Sequence, residues 1–351
     1  MPDGRAAVPE PSAARAAELR AVRRRLDRAS SVVLTTHVNP DGDGIGSMVA
    51  LASRLLRRGA EATIVTPSAP PASLRFLLTE VPALLAEDPA AADPLTRADA
   101  VAILDTAEPK RLGGLPDHVA RTGGVLIDHH PPVGPPLVEP AIRDPAACAT
   151  GELVFDLLSL YDEPLTTREA EALYVAIATD TGSFRFSNTS PRAHAIASVL
   201  LDAGVDSGGM YRALYGVYSR GRLGLMRLGL ETLEVDPRAP IAWIALDHRA
   251  LSRVGARGQD MEGLVEFPRR LEGIEVGLLF RGLSPDRTKV SLRSNGDVDV
   301  SAVAQMLGGG GHTKASGVII ELDLEGAVRV VLDALRPLVQ AAVEPEPRPP
   351  A

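Results

Sequence analysis

The first two hundred residues are paced by short apolar runs that stop at a carboxylate or an imidazole. Ser31-Val-Val-Leu-Thr-Thr36 leads to His37, Ala100-Val-Ala-Ile-Leu104 to Asp105, and Gly124-Val-Leu-Ile127 to Asp128-His129-His130. A fourth run, Glu61–Thr66, has the same make-up. Between and after them lie stretches of helical periodicity: Ile45, Met48, Val49, Ala52, Leu55 and Leu56 within 45–57, then 150–160, 168–179 and 193–203. Apolar runs this short read as strands buried on both faces, and strand–helix alternation places them in a parallel sheet covered by helices. The expected fold class is therefore α/β. Side chains just beyond the C-termini of such strands gather at one edge of the sheet, where ligands bind.

The rest of the chain divides around a helical stretch rich in Gly, Tyr and Arg, about 206–230. It is read as a connector, with a homodimer surface as the alternative. A second, smaller α/β unit follows. Its expected pieces are strands at 241–246, 274–281, 288–293 and 317–321, with helices at 260–271, 300–307 and 324–338. The ends, 1–14 and 343–351, are Pro-rich and expected as disordered tails. The expected division is thus 15–205, a connector over 206–235, and 236–342. No apolar run reaches the length of a membrane span, and the start lacks a signal-peptide core, so a cytoplasmic protein without membrane contact is expected. The single cysteine, Cys148, excludes disulfide scaffolds and cysteine-based zinc ribbons.

The first chemistry-bearing cluster is His37-Val-Asn-Pro-Asp41-Gly-Asp43-Gly-Ile-Gly46-Ser47. One imidazole and two carboxylates in seven residues suit a hard divalent cation such as Mn²⁺ or Mg²⁺. Two residues apart in an extended turn, Asp41 and Asp43 would point in different directions and serve two ions. The glycines permit close backbone approach, and the following helix start offers N–H groups to an anion. A dinucleotide loop is disfavoured, because the glycines do not follow G-x-G-x-x-G and the carboxylates would repel a pyrophosphate. A capped surface turn remains an alternative for this loop taken alone. Adjacent His129 and His130 on extended chain face opposite ways and so have different roles. Asp180, ending the apolar stretch 173–179, is unfavourable in a core unless paired or ligated. The candidate ligands are His37, Asp41, Asp43, Asp105, His129 and Asp180, enough for two ions about 3.5–4 Å apart with one bridging carboxylate.

In the second unit Gly308-Gly309-Gly310-Gly311-His312 is expected as a loop exposing backbone N–H groups to phosphate, with charge from His312, Lys314 and Arg293. A flexible loop with incidental basic residues is the alternative.

Taken together, His37-x-x-Pro40-Asp41-x-Asp43 with Gly46-Ser47, then Asp105, Asp128-His129-His130 and Asp180, resemble the motifs of the DHH phosphoesterase family. Gly309-Gly310-Gly311-His312 resembles the signature of the DHH-associated domain. The resemblance spans about 30–316 and is strongest to the bacterial oligoribonucleases that also act as 3′-phosphoadenosine 5′-phosphate phosphatases. It implies a site in the interdomain cleft with two Mn²⁺ ions, Mg²⁺ or Co²⁺ substituting. His37 and Asp41 would hold one ion, Asp43, His129 and Asp180 the other, and Asp105 both. His130 would meet the scissile phosphate, with Asp128 orienting the histidines. Arg293, Gly310, Gly311 and His312 would bind the far end of the substrate, and Lys314 and Ser47 are further substrate candidates. The implied substrates are short oligoribonucleotides, 3′-phosphoadenosine 5′-phosphate, and linear or cyclic diadenylate. A pyrophosphatase and a non-catalytic nucleotide sensor are the alternatives.

Charge fits a local site better than a polymer groove. Lys plus Arg number 37 and Asp plus Glu 45, a net of −8, and aromatic residues are 3%. Neither a broad basic face nor a row of stacking aromatics for long nucleic acid follows from this. Two divalent ions would bring −8 to −4, so a short nucleotide is accommodated only locally and through metal.

Overall fold

Ser31-Val-Val-Leu-Thr35 is buried on both faces because it lies at the centre of a sheet, not at its edge. The computed structural model describes residues 8–132, 134–216, 218–261 and 263–343, with Gln259, His312 and Val343 placed by their backbones alone. It divides into two units, Met1–Val217 and Tyr218–Ala351, a boundary inside the expected connector.

In the first unit the strands are β1 (Ser31–Thr35), β2 (Glu61–Thr66), β3 (Ala83–Leu85), β4 (Ala100–Leu104), β5 (Gly124–Asp128) and β6 (Ala141–Arg143). They lie in the order β3-β2-β1-β4-β5-β6, every pair parallel. The helices are α1 (Ala13–Leu26), α2 (Gly42–Arg57), α3 (Ala92–Arg97), α4 (Pro116–Thr122), α5 (Thr150–Ser159), α6 (Thr167–Asp180), α7 (Pro191–Asp202) and α8 (Ser207–Tyr215). Apolar cores cover both faces, as the unbroken apolar strands require. Ala102 and Leu104 of β4 join the core built with α1, α2, α5 and α6, whereas Val101 and Ile103 join the one built with α4. The strand order reverses between β1 and β4, so their C-terminal ends open a crevice at this switch point.

Two features of this unit differ from expectation. Residues 8–14 of the expected tail are docked: Ser12 caps α1, Val8 packs on the core, and the Pro9 carbonyl accepts from Arg192 Nε at 3.0 Å. Residues 1–7, like 344–351 at the other end, lie outside the described residues. The helix expected from Ile45 begins earlier, at Gly42, because Asp41 caps it. Its glycines answer to packing. A Cβ at Gly42 would fall 2.3 Å from Thr179 Oγ1, and one at Gly46 would fall 2.4 Å from the Ala172 carbonyl, so α2 crosses α6 at glycine distance.

The second unit holds α9 (Arg220–Glu231), β7 (Leu233–Val235), β8 (Ile241–Leu246), α10 (Ala250–Arg253), α11 (Glu266–Arg269), β9 (Val276–Ser284), β10 (Arg287–Ser294), α12 (Val300–Met306), β11 (Gly310–His312), β12 (Ala315–Ile320) and α13 (Leu324–Val343). Its sheet runs β11-β12-β10-β9-β8-β7, antiparallel except for β8–β9. The single helix expected over 260–271 is instead a 3₁₀ turn and one turn of α11. Gly263, at φ 80°, and Pro268 interrupt it. Among the described residues no helix is long and apolar enough to cross a membrane.

Candidate metal centre

Six side chains converge at the crevice beyond β1, β4 and β5. His37 and Asp41 follow β1, Asp105 follows β4, His129 follows β5, Asp43 lies in the first turn of α2, and Asp180 ends α6. His37 Nε2 lies 3.4 Å from Asp105 Oδ2 and 3.7 Å from Asp41 Oδ2. His129 Nε2 lies 3.8 Å from Asp43 Oδ2, 3.7 Å from Asp105 Oδ1 and 3.7 Å from Asp180 Oδ2. The two groups, His37–Asp41–Asp105 and Asp43–His129–Asp180, are each tight enough to surround one cation. Asp105 reaches both, one oxygen toward each histidine. A third grouping sets Asp105 with His129 and His130.

These separations, from 3.4 to 3.8 Å, lie at or beyond the outer limit of a hydrogen bond. They are close to the ~3.0–3.4 Å between neighbouring ligands that each lie about 2.1 Å from one ion. His37 Nε2 is buried with no hydrogen-bond partner, and an orphaned imidazole nitrogen facing carboxylates is what a cation would satisfy. Both histidines engage a carbonyl through Nδ1, His37 with Val38 at 2.9 Å and His129 with Ala147 at 3.4 Å. That leaves Nε2 as the basic nitrogen toward the acids.

The electrostatics describe crowded negative charge. Burial, then the charges of Asp105, Asp180 and Asp41, push Asp43 well above the usual carboxylate range, against the hydrogen bond from Thr150 N–H. Burial, with Asp105 and Asp41, pushes Asp180 up to about 6, while His129 pulls it down. Removal from water disfavours the His37 imidazolium, yet Asp105 and Asp41 outweigh this and hold it up to about 10. Protons occupy a place that a divalent cation would take over.

The local scaffold explains how acids are held here. Asp41 Oδ1 accepts from the N–H groups of Asp43 and Gly44, both at 3.1 Å. The start of α2 is therefore capped by its own acid, and the expected anion site there is corrected. Asp41 is the extended N-cap of α2 and Asp43 lies in its first turn, and the two reach different histidines. Ser47 is fully buried and donates to Asp43 Oδ1 at 3.2 Å, so it steadies Asp43 and does not face a substrate. Asp105 adopts φ 65°, a left-handed conformation that aspartate tolerates better than most residues.

Sequence reading missed three supports. Thr150, at the start of α5, donates its N–H to Asp43 Oδ2 at 2.7 Å and its hydroxyl to Asp105 Oδ1 at 3.0 Å. Gly151 N–H adds a bond to Asp43 Oδ1 at 2.8 Å, so Asp43 sits on a helix N-terminus. Asn188 Nδ2 holds Asp180 Oδ2 at 3.1 Å. The only signal in sequence is that Thr150 opens an expected helix.

His130 is half exposed beside this cluster. Its Nδ1 is 2.8 Å from Asp128 Oδ1, and that hydrogen bond raises its pKa against the opposing effect of burial. Arg111 joins His130, Asp128, Thr106 and Pro131 around a shallow hollow. Of the remaining candidates, Arg293 lies on β10 and its Nη1 donates to its neighbour's carbonyl, that of Leu292, at 3.0 Å. Lys314 donates to the Gly296 carbonyl. The expected glycine loop is an edge strand: Gly310, Gly311 and His312 pair with Gly317, Ser316 and Ala315. A Cβ on Gly311, at φ 140°, would fall 2.6 Å from the Ala315 carbonyl, so the glycine is needed for the hairpin. His312, Ala315 and Arg293 occupy one row across three strands, which sets the backbones of His312 and Arg293 about 9–10 Å apart.

A parallel sheet with acids and histidines converging at its switch point defines a site of the class that could hold divalent cations. The comparisons with known proteins carry this to a family. Residues 31–177 match the N-terminal domain of the DHH family, and residues 248–341 match the DHHA1 domain. The bifunctional oligoribonuclease and PAP phosphatase NrnA of Thermus thermophilus is 35% identical over 307 residues, 87% of this chain and 89% of that protein. The protein of the same name from Bacillus subtilis is 28% identical, over 85% of this chain and 91% of its own. The crystal structure of an exopolyphosphatase-related protein from Bacteroides fragilis superposes with a TM-score of 0.84 at 30% identity, over 92% of this chain and 98% of that one. The chain belongs to the DHH family.

Proposed function

We propose that this protein is a divalent-metal-dependent phosphoesterase hydrolysing short oligoribonucleotides and small 3′-phosphorylated nucleotides such as 3′-phosphoadenosine 5′-phosphate. The observation that carries this is the pair of adjacent ligand groups, His37–Asp41–Asp105 and Asp43–His129–Asp180, with Asp105 Oδ1 also 3.7 Å from His129 and with His37 Nε2 buried and unpartnered between acids. Likeness along most of the chain to two proteins named as oligoribonuclease and PAP phosphatase supports the choice of substrate.

The proposed ions are two Mn²⁺, with Mg²⁺ or Co²⁺ substituting. His37 and Asp41 would hold one, Asp43, His129 and Asp180 the other, and Asp105 both. When bound, such a pair supplies a water that ionises near neutral pH and neutralises charge on phosphoryl oxygens. His130 keeps Nδ1 on Asp128, which leaves its half-exposed Nε2 to donate a proton to the departing oxygen. Asp128 fixes that ring and favours its charged form. Arg293, Gly310, Gly311, His312 and Lys314 are proposed to bind the far end of the substrate, which would favour short chains over polymers.

The test is one set of parallel incubations with Mn²⁺, using a 5′-labelled diribonucleotide, a 24-mer, 3′-phosphoadenosine 5′-phosphate, linear and cyclic diadenylate, and pyrophosphate. Turnover of the diribonucleotide and of 3′-phosphoadenosine 5′-phosphate well ahead of the 24-mer is expected. Phosphate release from pyrophosphate alone, or turnover of nothing, would overturn the reading.

A further inference from the structure

The turn that follows Asp180 is strained in a way that the metal ligand alone does not require. Gly182, Ser183 and Phe184 all have positive φ, at 56°, 59° and 62°. Glycine adopts this conformation freely, but for phenylalanine it is an outlier that persists only where surrounding contacts enforce it. Here they do. The Phe184 ring stacks on His194 with centroids 5.2 Å apart and meets Tyr174 at 6.1 Å. Its N–H donates to Thr181 Oγ1 at 3.1 Å, and the N–H groups of Arg185 and Phe186 both donate to the Thr181 carbonyl.

Drawing Phe184 inward turns Phe186 outward. Its side chain is 56% exposed, one of six phenylalanines in the chain. The ring lies across Gly182, where a Cβ would meet three ring atoms at 2.4–2.6 Å, so a larger residue at 182 would push the ring off its seat. Gly182 is two residues beyond Asp180, a Cα separation of at most about 7 Å. Arg185, also exposed, is anchored by Nε to the Gly182 carbonyl at 2.6 Å. Asn188 closes the turn onto Asp180 and onto the Cys148 carbonyl. One rigid turn therefore carries a candidate metal ligand, an exposed aromatic face and a guanidinium. A single exposed phenylalanine is ordinary on a protein surface. One held beside a ligand by a run of three left-handed residues is not.

We propose that Phe186 is a stacking platform for a nucleobase of the substrate, with Arg185 beside it for a phosphate. This rests on the small-nucleotide reading and adds to it a contact that recognises the base as an aromatic plane without regard to its identity.

The experiment compares a diribonucleotide with its doubly abasic analogue on the wild type and on Phe186→Ala, Phe186→Leu and Phe186→Trp, recording kcat and KM. Base stacking of the usual strength predicts that Phe186→Ala and Phe186→Leu raise KM for the intact dinucleotide by about five- to a hundred-fold. The KM ratio of abasic to intact substrate then falls toward one, and Phe186→Trp restores it. An independent readout needs no turnover: with Mg²⁺ present, a non-hydrolysable 2-aminopurine dinucleotide analogue should be quenched on binding the wild type and Phe186→Trp, but not Phe186→Leu. Equal loss on both substrates would mean that Phe186 merely supports Asp180, and would overturn the proposal. So would quenching retained in Phe186→Leu. A wild type that hydrolyses neither substrate would overturn the small-nucleotide reading and this inference with it. Turnover indifferent to residue 186 would overturn the inference alone.

Discussion

Replacing Thr150 by valine removes one hydroxyl at nearly constant shape and tests how the shared carboxylate is held. The hydroxyl donates to Asp105 Oδ1 at 3.0 Å, while the backbone N–H that serves Asp43 is untouched. Oδ1 is also the oxygen nearest His129 and His130, at 3.7 and 3.8 Å, and Oδ2 is 3.4 Å from His37. Freed at one end, the carboxylate can rotate away from both ligand groups. A hydrogen bond to a charged group contributes about 1.5–3 kcal/mol, or roughly ten- to 150-fold at 1.4 kcal/mol per decade. Loss of a group that orients a metal ligand typically weakens metal affinity or activity about ten- to a hundredfold, in line with that range. The assay is Mn²⁺ titration of diribonucleotide hydrolysis, alongside calorimetric Mn²⁺ binding. Thr150→Val should raise the half-saturating Mn²⁺ concentration at least about tenfold, whereas Thr150→Ser, which keeps the hydroxyl, should stay within a few-fold. A valine variant indistinguishable from wild type would refute the claim that Asp105 depends on this bond.

Metal loading should release protons, because His37, held up to about 10, and Asp180, pushed up to about 6, must both deprotonate to serve as ligands. In the stripped protein both folded pKa values lie above the unfolded ones. The folded state therefore binds more protons, and this part of its stability declines as pH rises through 6 toward 10. The gap in Tm between loaded and stripped protein should widen from pH 5.5 to pH 8 in calorimetric scans, and a constant gap would contradict the assignment. Arg54 and Glu169, both buried, pair at 2.8 and 3.0 Å beneath the α2–α6 crossing. Glu169→Ala should strand the guanidinium and cost about 3–5 kcal/mol in denaturant unfolding, while a loss under about 1 kcal/mol would show the pair to be dispensable.

What could be read from sequence follows from which interactions are local. Apolar runs ending in Asp105 or in Asp128-His129-His130 need only strand periodicity to place them at one sheet edge, and the sheet does the rest. Asp43 was a candidate because it falls with His37 and Asp41 in one seven-residue cluster, and Asp180 because an acid ending an apolar run has few other reasons to be there. Thr150 and Asn188 were not legible, because their partners are fixed by tertiary packing: Thr150 meets Asp43 across 107 residues and Asp105 across 45. Ser47 was misread for a related reason. Its position in the motif is plain, but its facing Asp43 from within α2 depends on the helix starting at Gly42 and not at Ile45. The glycines at 310–311 looked like a phosphate loop because strand pairing leaves no apolar alternation when the edge strand has no side chains to alternate. β3 and β6, three residues each, are edge strands too short to show a period.

The count of bound manganese per chain tests the central claim most directly. After loading and desalting, metal analysis should find about two ions in the wild type and about one in either Asp41→Asn or Asp180→Asn. Asp105→Ala should retain neither tightly bound ion and lose hydrolysis of the diribonucleotide, while its circular dichroism remains that of the folded protein. A folded Asp105→Ala variant that still holds two ions, or that turns over substrate in metal-free buffer, would contradict a shared two-ion centre at these six residues.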